Sequence, residues 1–302
     1  MSDSGGSFSQ GVGQWIGAAE VYDGAGRFLG TGRDTRTVQA DDGAGTVTVD
    51  VSFEGPFSMA GVYTIADRGS HRLYQGPFNY GFADVLGDGL ITAHNYWSAL
   101  GMNQRFFLMV LPDQTRQLSL ALISRGEHLH HVVVGEYRRQ VDPLDPTPPT
   151  APPMDPAAIG DDPTAGRGES LLHRPGTWSG TLTVLDEHLN ADGTTDYVET
   201  ATTTDTGLRL GLTGIGLASD TAFDLHTSGT EAWTREGEVL GSFSISGGRG
   251  QSGSFLHHRD EVRVWRREVA SLDGSMKAVV HLWFRGDKRI GAAHGTLAFE
   301  AH

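Results

Sequence analysis

The chain has 302 residues, a formal net charge of −14, 42 glycines and no cysteine. The negative charge disfavours nucleic acid and acidic membrane surfaces as partners, and the lack of cysteine excludes disulfides, thiolate metal sites and cysteine nucleophiles. A high glycine content, together with 38% hydrophobic and 20% charged residues, is typical of a protein with many short strands joined by tight turns.

Residues 1–7 lack the basic and apolar regions of a signal peptide. No apolar run approaches the about 18 residues that a membrane-spanning helix needs. We therefore expect a cytoplasmic protein with no membrane partner.

The first half, residues 13–139, predicts antiparallel β structure. In its clearest strand, 46–54, Val47, Val49 and Val51 alternate with polar residues, as expected for a sheet with one buried and one wet face. Further strands are expected at 15–22, 34–40, 57–66, 70–76, 78–85, 89–97, 103–110, 116–124 and 128–138.

Residues 140–169 are crowded with prolines, which cannot donate to a strand ladder and disfavour helix. This segment predicts a semi-rigid linker, with recognition by a proline-binding module as the alternative.

The second half, residues 170–302, repeats the β pattern. A single helical turn is expected at 169–175, closing one end of the second repeat. Strands are then expected at 177–185, 194–204, 207–212, 220–226, 230–235, 239–246, 252–258, 260–269, 275–284 and 289–299.

The two halves also share residues at fixed offsets. Gly13-Gln-Trp-Ile-Gly17 has the same G-x-W-x-G pattern as Gly176-Thr-Trp-Ser-Gly180, 163 positions later. Near the ends of the halves the offset is 160, which relates Asp113 to Asp273, Leu122 to Leu282 and Gly135 to Gly295. Matches at both ends, in the same order, indicate a tandem duplication.

The repeated G-x-W-x-G pattern at the start of a first strand resembles that of the lipocalin-like (calycin) superfamily. In that superfamily the tryptophan plugs the closed end of a barrel, and a basic residue of the last strand commonly packs on it by a cation–π contact. The resemblance implies that Arg138 or Arg139 packs on Trp15. The second half departs from it, with Ala298 and Phe299 at the corresponding positions.

The resemblance implies two tandem lipocalin-like antiparallel up-and-down β-barrels, joined by the proline-rich linker. Tandem proteins of this superfamily and of about this size include carotenoid-hydratase-like and Diels–Alderase-like enzymes, which need no cofactor. The likeness lies in architecture, since no catalytic motif of theirs is found here.

A histidine cluster, Glu127-His-Leu-His-His131, places His128 and His130 on one strand face. Such a pair can chelate Zn²⁺ or Fe²⁺, as in cupins, but the flanking glycine and glutamate are misplaced for that pattern. The second half has Lys288 and Ile290 at these positions, so we expect no metal and regard a metal-dependent bicupin-like enzyme as an alternative.

The stretch 87–97 is the candidate catalytic strand. His94 and Tyr96 share one face with Thr92, while Asn95 and Trp97 lie on the opposite face. A histidine beside a phenol in a partly apolar cavity suits general acid–base chemistry. The same residues would instead form an outward polar face if Trp97 points to the core.

Aromatic residues close to this strand are expected to line a ligand cavity: Tyr74, Tyr80, Phe82 and Trp97. Strand 275–284 is apolar on both faces, which predicts Trp283 at an interface, either with the other barrel or with a second subunit. In the second case the protein would be a homodimer.

These patterns predict a protein that binds a small, largely apolar or aromatic molecule in a barrel. The molecule would be converted by cofactor-independent acid–base chemistry, as in a hydratase, lyase, isomerase or cyclase. A passive carrier or sensor is the main alternative.

Overall fold

The computed structural model describes residues 8–41, 45–69, 71–142, 154–205, 207–216, 218–235 and 237–302. Within these ranges it confirms the all-β class, with two closed barrels of ten antiparallel strands each. Every strand pairs with its neighbours in sequence, and the first pairs with the last, which is the up-and-down order. None of the described helices is long and apolar enough to cross a bilayer.

The first barrel follows a short 3-10 turn at Ser9–Gly11. Its strands are β1 Gly13–Asp23, β2 Phe28–Asp41, β3 Thr46–Glu54, β4 Ser58–Asp67, β5 His71–Gln75, β6 Asn79–Asp84, β7 Leu90–Trp97, β8 Met102–Val110, β9 Arg116–Arg125 and β10 His128–Arg139.

Residues 143–153 of the predicted proline-rich linker lie outside the described residues. The C-terminal part of the linker holds α1, Pro156–Ile159, a single turn in which the Asp155 carboxylate accepts a hydrogen bond from the Ala157 amide. This turn lies against β2 of the first barrel, where the Pro156 ring approaches Gly30.

The second barrel consists of β11 Gly176–Leu185, β12 Ala191–Thr204, β13 Gly207–Thr213, β14 Thr221–Ser228, β15 Glu231–Thr234, β16 Val239–Ser246, β17 Gly250–His257, β18 Val262–Ala270, β19 Met276–Arg285 and β20 Lys288–Glu300. The helical turn predicted at 169–175 is wrong, because this segment is a series of bends. The amide of Leu172 donates to the Gly248 carbonyl at 3.1 Å instead of to its own turn.

The predicted tryptophan plug is present in the first barrel. Trp15 is 1% exposed and donates its indole N–H to the Gly11 carbonyl at 2.8 Å. The guanidinium of Arg139 lies 4.6 Å from the centre of the Trp15 ring, so Arg139, and not Arg138, makes the predicted cation–π contact. We call Trp15 the tryptophan plug below.

In the second barrel the corresponding cation comes from a different segment. The Phe299 ring packs 4.8 Å from the Trp178 ring, and Arg174, which precedes β11, lies 3.6 Å from the Phe299 ring centre and 5.9 Å from that of Trp178. Lys277 on β19 also places its ammonium 5.1 Å from the Trp178 ring centre. The basic residue that the last strand lacks is therefore replaced by Arg174, which precedes the first strand, and by Lys277.

The interiors of the two barrels are packed differently. The first has one apolar cluster near the plug, including Trp15, Val38 and Leu108, and a separate one that includes Ala19 and Val133. The second has one large cluster. Trp283 belongs to that cluster and is 1% exposed, so its predicted interface position is wrong: the side chain points into its own barrel.

Candidate functional site

A cavity lies inside the first barrel, between its two apolar clusters. About 530 Å³ of its space is free of protein atoms, including the part that opens to solvent. Seven of the lining residues are polar: Asp34, Arg36, Tyr63, Asn95, Gln104, Ser119 and Tyr137. The apolar walls come from Val51, Phe53, Phe57, Met59, Trp97, Phe106, Ala121, Ile123 and Val133.

The charged part of the lining lies at the closed end of the barrel. Arg36 on β2 pairs in register with the tryptophan plug, and Tyr137 on β10 pairs with Gly17, two residues further along β1. A Cβ atom at Gly17 would lie 2.1 Å from the Tyr137 ring, so the second glycine of the G-x-W-x-G motif makes room for this tyrosine. We call Asp34, Arg36 and Tyr137 the floor of the cavity.

The floor residues form a closed hydrogen-bonded group. Arg36 donates from Nη2 to Asp34 Oδ2 at 2.6 Å and from Nε to Oδ1 at 3.3 Å. Arg36 Nη2 also donates to the Tyr137 hydroxyl at 2.6 Å, and that hydroxyl donates to Asp34 Oδ2 at 3.0 Å. Ser119 Oγ lies 3.1 Å from the same hydroxyl, so the phenol is held from three sides.

Burial and charge keep these groups in their ordinary protonation states. Burial would lower the pKa of Arg36, but the neighbouring Asp34 raises it above its usual value, so Arg36 stays a cation. Burial raises the pKa of Tyr137 well above its usual range, and Tyr137 stays a neutral phenol at physiological pH.

Beside the floor lies a cluster of amides. Trp97 donates its indole N–H to Gln104 Oε1 at 3.0 Å, and Asn95 Nδ2 makes a long contact of 3.5 Å with the same oxygen. Asn95 is 5% exposed, and its Oδ1 atom has no hydrogen-bond partner. A buried amide with free hydrogen-bonding capacity can bind a polar group that enters the cavity.

The other end of the barrel, which we call the mouth, is apolar and open. A second space of about 430 Å³ there shares Phe57, Met59, Trp97 and Ile123 with the first. Its further lining is Ser58, Leu100, Met102 and His131. The pKa of His131 is lowered by burial and by the neighbouring His130, so at this mouth His131 is a neutral ring, stacked 5.0 Å from Phe57.

The second barrel carries larger side chains at the equivalent positions. Strand register relates His281 to Ala121, because His281 pairs with Ala293 as Ala121 pairs with Val133. By the same comparison Trp283 replaces Ile123, and each of these two second-barrel residues is at most 1% exposed. The space that forms the cavity of the first barrel is therefore filled with side chains in the second.

The second barrel has a buried ion network instead of the floor. Glu199 takes the position of Arg36, since it pairs with Trp178 as Arg36 pairs with Trp15. Lys277 bridges Glu199 at 3.0 Å and Glu268 at 2.9 Å. The members of the network are Glu199, Arg266, Glu268 and Lys277.

Two histidines border this network. Burial lowers the pKa of His173 to about 4 and also lowers that of His281. His173 comes from the bent segment before β11 and is 7% exposed, so it is a neutral residue that covers this part of the interior.

The structure separates the residues expected to form the site. Of the aromatic lining predicted from the sequence, Trp97 faces the cavity. Tyr74 is 2% exposed and belongs to the apolar cluster beside the tryptophan plug, where it is not part of the cavity lining.

The remaining four predicted residues lie on the outer face of β6 and β7. Tyr80 and Phe82 are 56% and 55% exposed, the Phe82 ring stacks on His94 at 5.4 Å, and Tyr96 packs on Tyr80 at 5.2 Å. The outward orientation of this face, the alternative noted from the sequence, is the observed one. His94 and Tyr96 do not line the cavity, and their catalytic role remains a prediction.

The histidines considered for metal binding lie on the surface and at the mouth of the first barrel. His128 and His130 are exposed, while His131 stands at the mouth. Among the described residues no group of three or more His, Asp or Glu side chains is arranged to hold a metal ion.

Sequence reasoning missed the floor and the amides. Asp34, Arg36 and Val38 alternate along β2, so two opposite charges share a face with a core valine, and this pattern could have indicated a buried ion pair. Tyr137 carries no comparable signal, because a tyrosine near a strand end fits either face.

No known family model matches this chain, and no curated protein sequence matches it. The fold is similar to that of a protein of unknown function from Nostoc punctiforme, of the DUF3598 family, over 99% of this chain and 100% of that one, with a TM-score of 0.59 and 12% identity. A weaker likeness, with a TM-score of 0.35 and 10% identity, relates 45% of this chain to 91% of an S-type phycobiliprotein lyase from Guillardia theta.

The first likeness shows the fold alone, and the second is too weak to carry an argument.

Proposed function

We propose that the first barrel binds a small, largely apolar or aromatic organic molecule in its cavity, and that the second barrel is a filled structural copy. The observation that carries this proposal is the contrast at equivalent positions. Ala121 and Ile123 border open space in the first barrel, whereas His281 and Trp283 fill it in the second.

The lining also supports this ligand class. Binding pockets are mostly apolar with a few well-placed polar groups, and this cavity combines aromatic and aliphatic walls with polar groups near its closed end. Phe57, Trp97 and Phe106 offer aromatic faces, which suit a ligand with a planar or apolar body.

Conversion of the ligand by acid–base chemistry is the second candidate, favoured by Tyr137. Its hydroxyl accepts a hydrogen bond from Arg36, whose positive charge partly offsets the rise in pKa that burial causes, and it lies in the cavity lining, where a bound carbonyl would accept its proton. A hydratase, lyase, isomerase or cyclase would use such a donor without a cofactor. His94 and Tyr96, the pair favoured from sequence, would need a substrate on the outer surface.

Binding without turnover, as in a carrier or sensor, is the simpler function. The charged and acidic groups of the floor, Asp34, Arg36 and Tyr137, are already hydrogen-bonded to one another and not to a ligand. Native mass spectrometry of protein purified from its own host tests binding directly. A bound organic molecule is the expected result.

A variant whose cavity is filled by a larger side chain provides the matched test. Ile123→Trp copies the second barrel's own filling residue into the first, and Val62→Trp adds the same side chain on the outer face, where Val62 is 47% exposed. We expect Ile123→Trp to lose the bound molecule and the uncharged fluorescent probe phenylnaphthylamine, with Val62→Trp binding both. Equal binding by the two variants would contradict the proposal.

A further inference from the structure

The floor of the first-barrel cavity contains one positive and one negative charge in direct contact. Arg36 and Asp34 side chains are 11% and 6% exposed, and their closest atoms are 2.6 Å apart. The carboxylate accepts two hydrogen bonds from the guanidinium and one from Tyr137. Each charge is therefore compensated by the other before any ligand enters.

The phenols facing this pair add no charge. Burial raises the pKa of Tyr63 to about 12 and that of Tyr137 further, so both hydroxyls remain protonated at neutral pH. The polar lining of the cavity beyond Asp34 and Arg36 consists of hydroxyls and amides. The cavity interior is thus polar at one end but has no net charge.

This balance disfavours a charged ligand. A carboxylate at the floor would be buried next to Asp34 without an unpaired cation, and an ammonium would be buried next to Arg36 without an unpaired anion. Burying a charge that lacks its own counter-charge is strongly unfavourable. A hydroxyl or carbonyl carries no such penalty when it finds a hydrogen-bond partner.

The amides beside the floor offer that partner. Asn95 Oδ1 is buried without a partner, and Nδ2 of the same amide has a single long contact to Gln104. A Cβ atom at Gly81 would lie 2.4 Å from Asn95 Oδ1, so the glycine opposite keeps room for the amide. In either orientation of the amide, one terminal atom has no hydrogen-bond partner in the protein.

We infer that the ligand of this site is an uncharged amphipathic molecule that places a hydroxyl or carbonyl beside Asn95 and Tyr137, with its apolar body between Phe57 and Met59 at the mouth. The site selects against the carboxylate and ammonium forms of the same skeleton. This inference rests on the proposed binding function and specifies its ligand class.

A series that varies only the head group tests it. Decanol, decanoate and decylammonium are titrated at neutral pH against the full-length protein loaded with phenylnaphthylamine. We expect decanol to displace half of the probe at a concentration at least about tenfold lower than either charged compound, a difference that corresponds to about 1.4 kcal/mol.

Removing the negative charge of Asp34 should improve the binding of decanoate relative to decanol. Asp34→Asn leaves Arg36 without its counter-charge, so decanoate should displace the probe at an at least about tenfold lower concentration than it needs in the unmodified protein. Asp50→Asn removes an exposed carboxylate of β3 and should leave the order unchanged. Circular dichroism verifies that both variants keep the β fold.

The outcomes separate the two proposals. If decanoate matches or exceeds decanol on the unmodified protein, the uncharged-ligand inference is overturned while binding stands. If the probe and all three compounds fail to bind, the binding function falls and the inference with it. The unmodified protein decides both questions even where Asp34→Asn does not fold.

Discussion

Replacement of His173 by glutamine should remove much of the acid sensitivity of the second barrel. In the folded chain, burial lowers the pKa of His173 from 6.5 to about 4, although Glu199 and Glu268 oppose the shift. Between these two pH values the unfolded chain binds a proton at His173 and the folded barrel does not. The free energy of unfolding therefore falls as the pH falls through this window.

The size of the effect is set by the two pKa values. Each pKa unit corresponds to about 1.4 kcal/mol, so His173 accounts for a loss of about 3 kcal/mol on going from neutral pH to pH 4. His281, whose pKa is also lowered by burial, leaves a residual slope. Glu199 and Glu268, with lowered pKa values, lose their stabilising charge at lower pH still.

Urea denaturation between about pH 7 and 4.5 measures this loss, with hydrogen exchange of β11–β20 peptides used to follow the second barrel alone. His173→Gln should lose less stability over this range than the unmodified chain, by about 2 kcal/mol. His188→Gln, at a histidine whose side chain is 75% exposed, should behave like the unmodified chain. Parallel pH profiles for His173→Gln and the unmodified chain would refute a buried neutral histidine.

Two further substitutions test how the closed end of the first barrel is built. Arg139→Met removes the cation above the tryptophan plug and three hydrogen bonds to backbone carbonyls. It should destabilise the barrel by about 3 kcal/mol. The control is Arg138→Met, at an exposed residue, which should change stability by less than about 0.5 kcal/mol. Gly17→Ala forces the Tyr137 ring to move, which should lower the stability of the barrel by about 2 kcal/mol and weaken probe binding. Its control is Gly61→Ala, where the added Cβ atom would have its nearest neighbour at 3.7 Å. Thermal unfolding of all four variants measures these effects.

Strand positions and the duplication could be read from the sequence because they depend on local patterns. The alternation of valines in β3 and the repeated G-x-W-x-G motif each require only neighbouring residues to be recognised. The resemblance also implied a basic residue on the tryptophan plug, at Arg138 or Arg139, and the register of β10 with β1 selects Arg139.

The cavity could not be read in the same way, because it depends on which face of each strand points inward. Tyr80, His94 and Tyr96 combine an apolar ring with a polar atom and fit either side of a sheet, so alternation alone does not orient them. Trp283 lies on a strand that is apolar on both faces, which removes the contrast that orientation requires. The position of Arg36 and Asp34 inside the barrel follows from the register of β2 with β1, which the sequence does not show.

The pairing of β1 with β10, the seam that closes the first barrel, has a consequence for the order in which the chain folds during synthesis. Arg139 bonds to Val12, a residue 127 positions earlier in the chain, so the first barrel cannot close until its tenth strand has left the ribosome. Until then β1 presents an unpaired edge, and contacts of such long range form slowly. Once β10 is made, no strand of the second half is needed to complete the seam, and the cavity can form while the rest of the chain is still being synthesised.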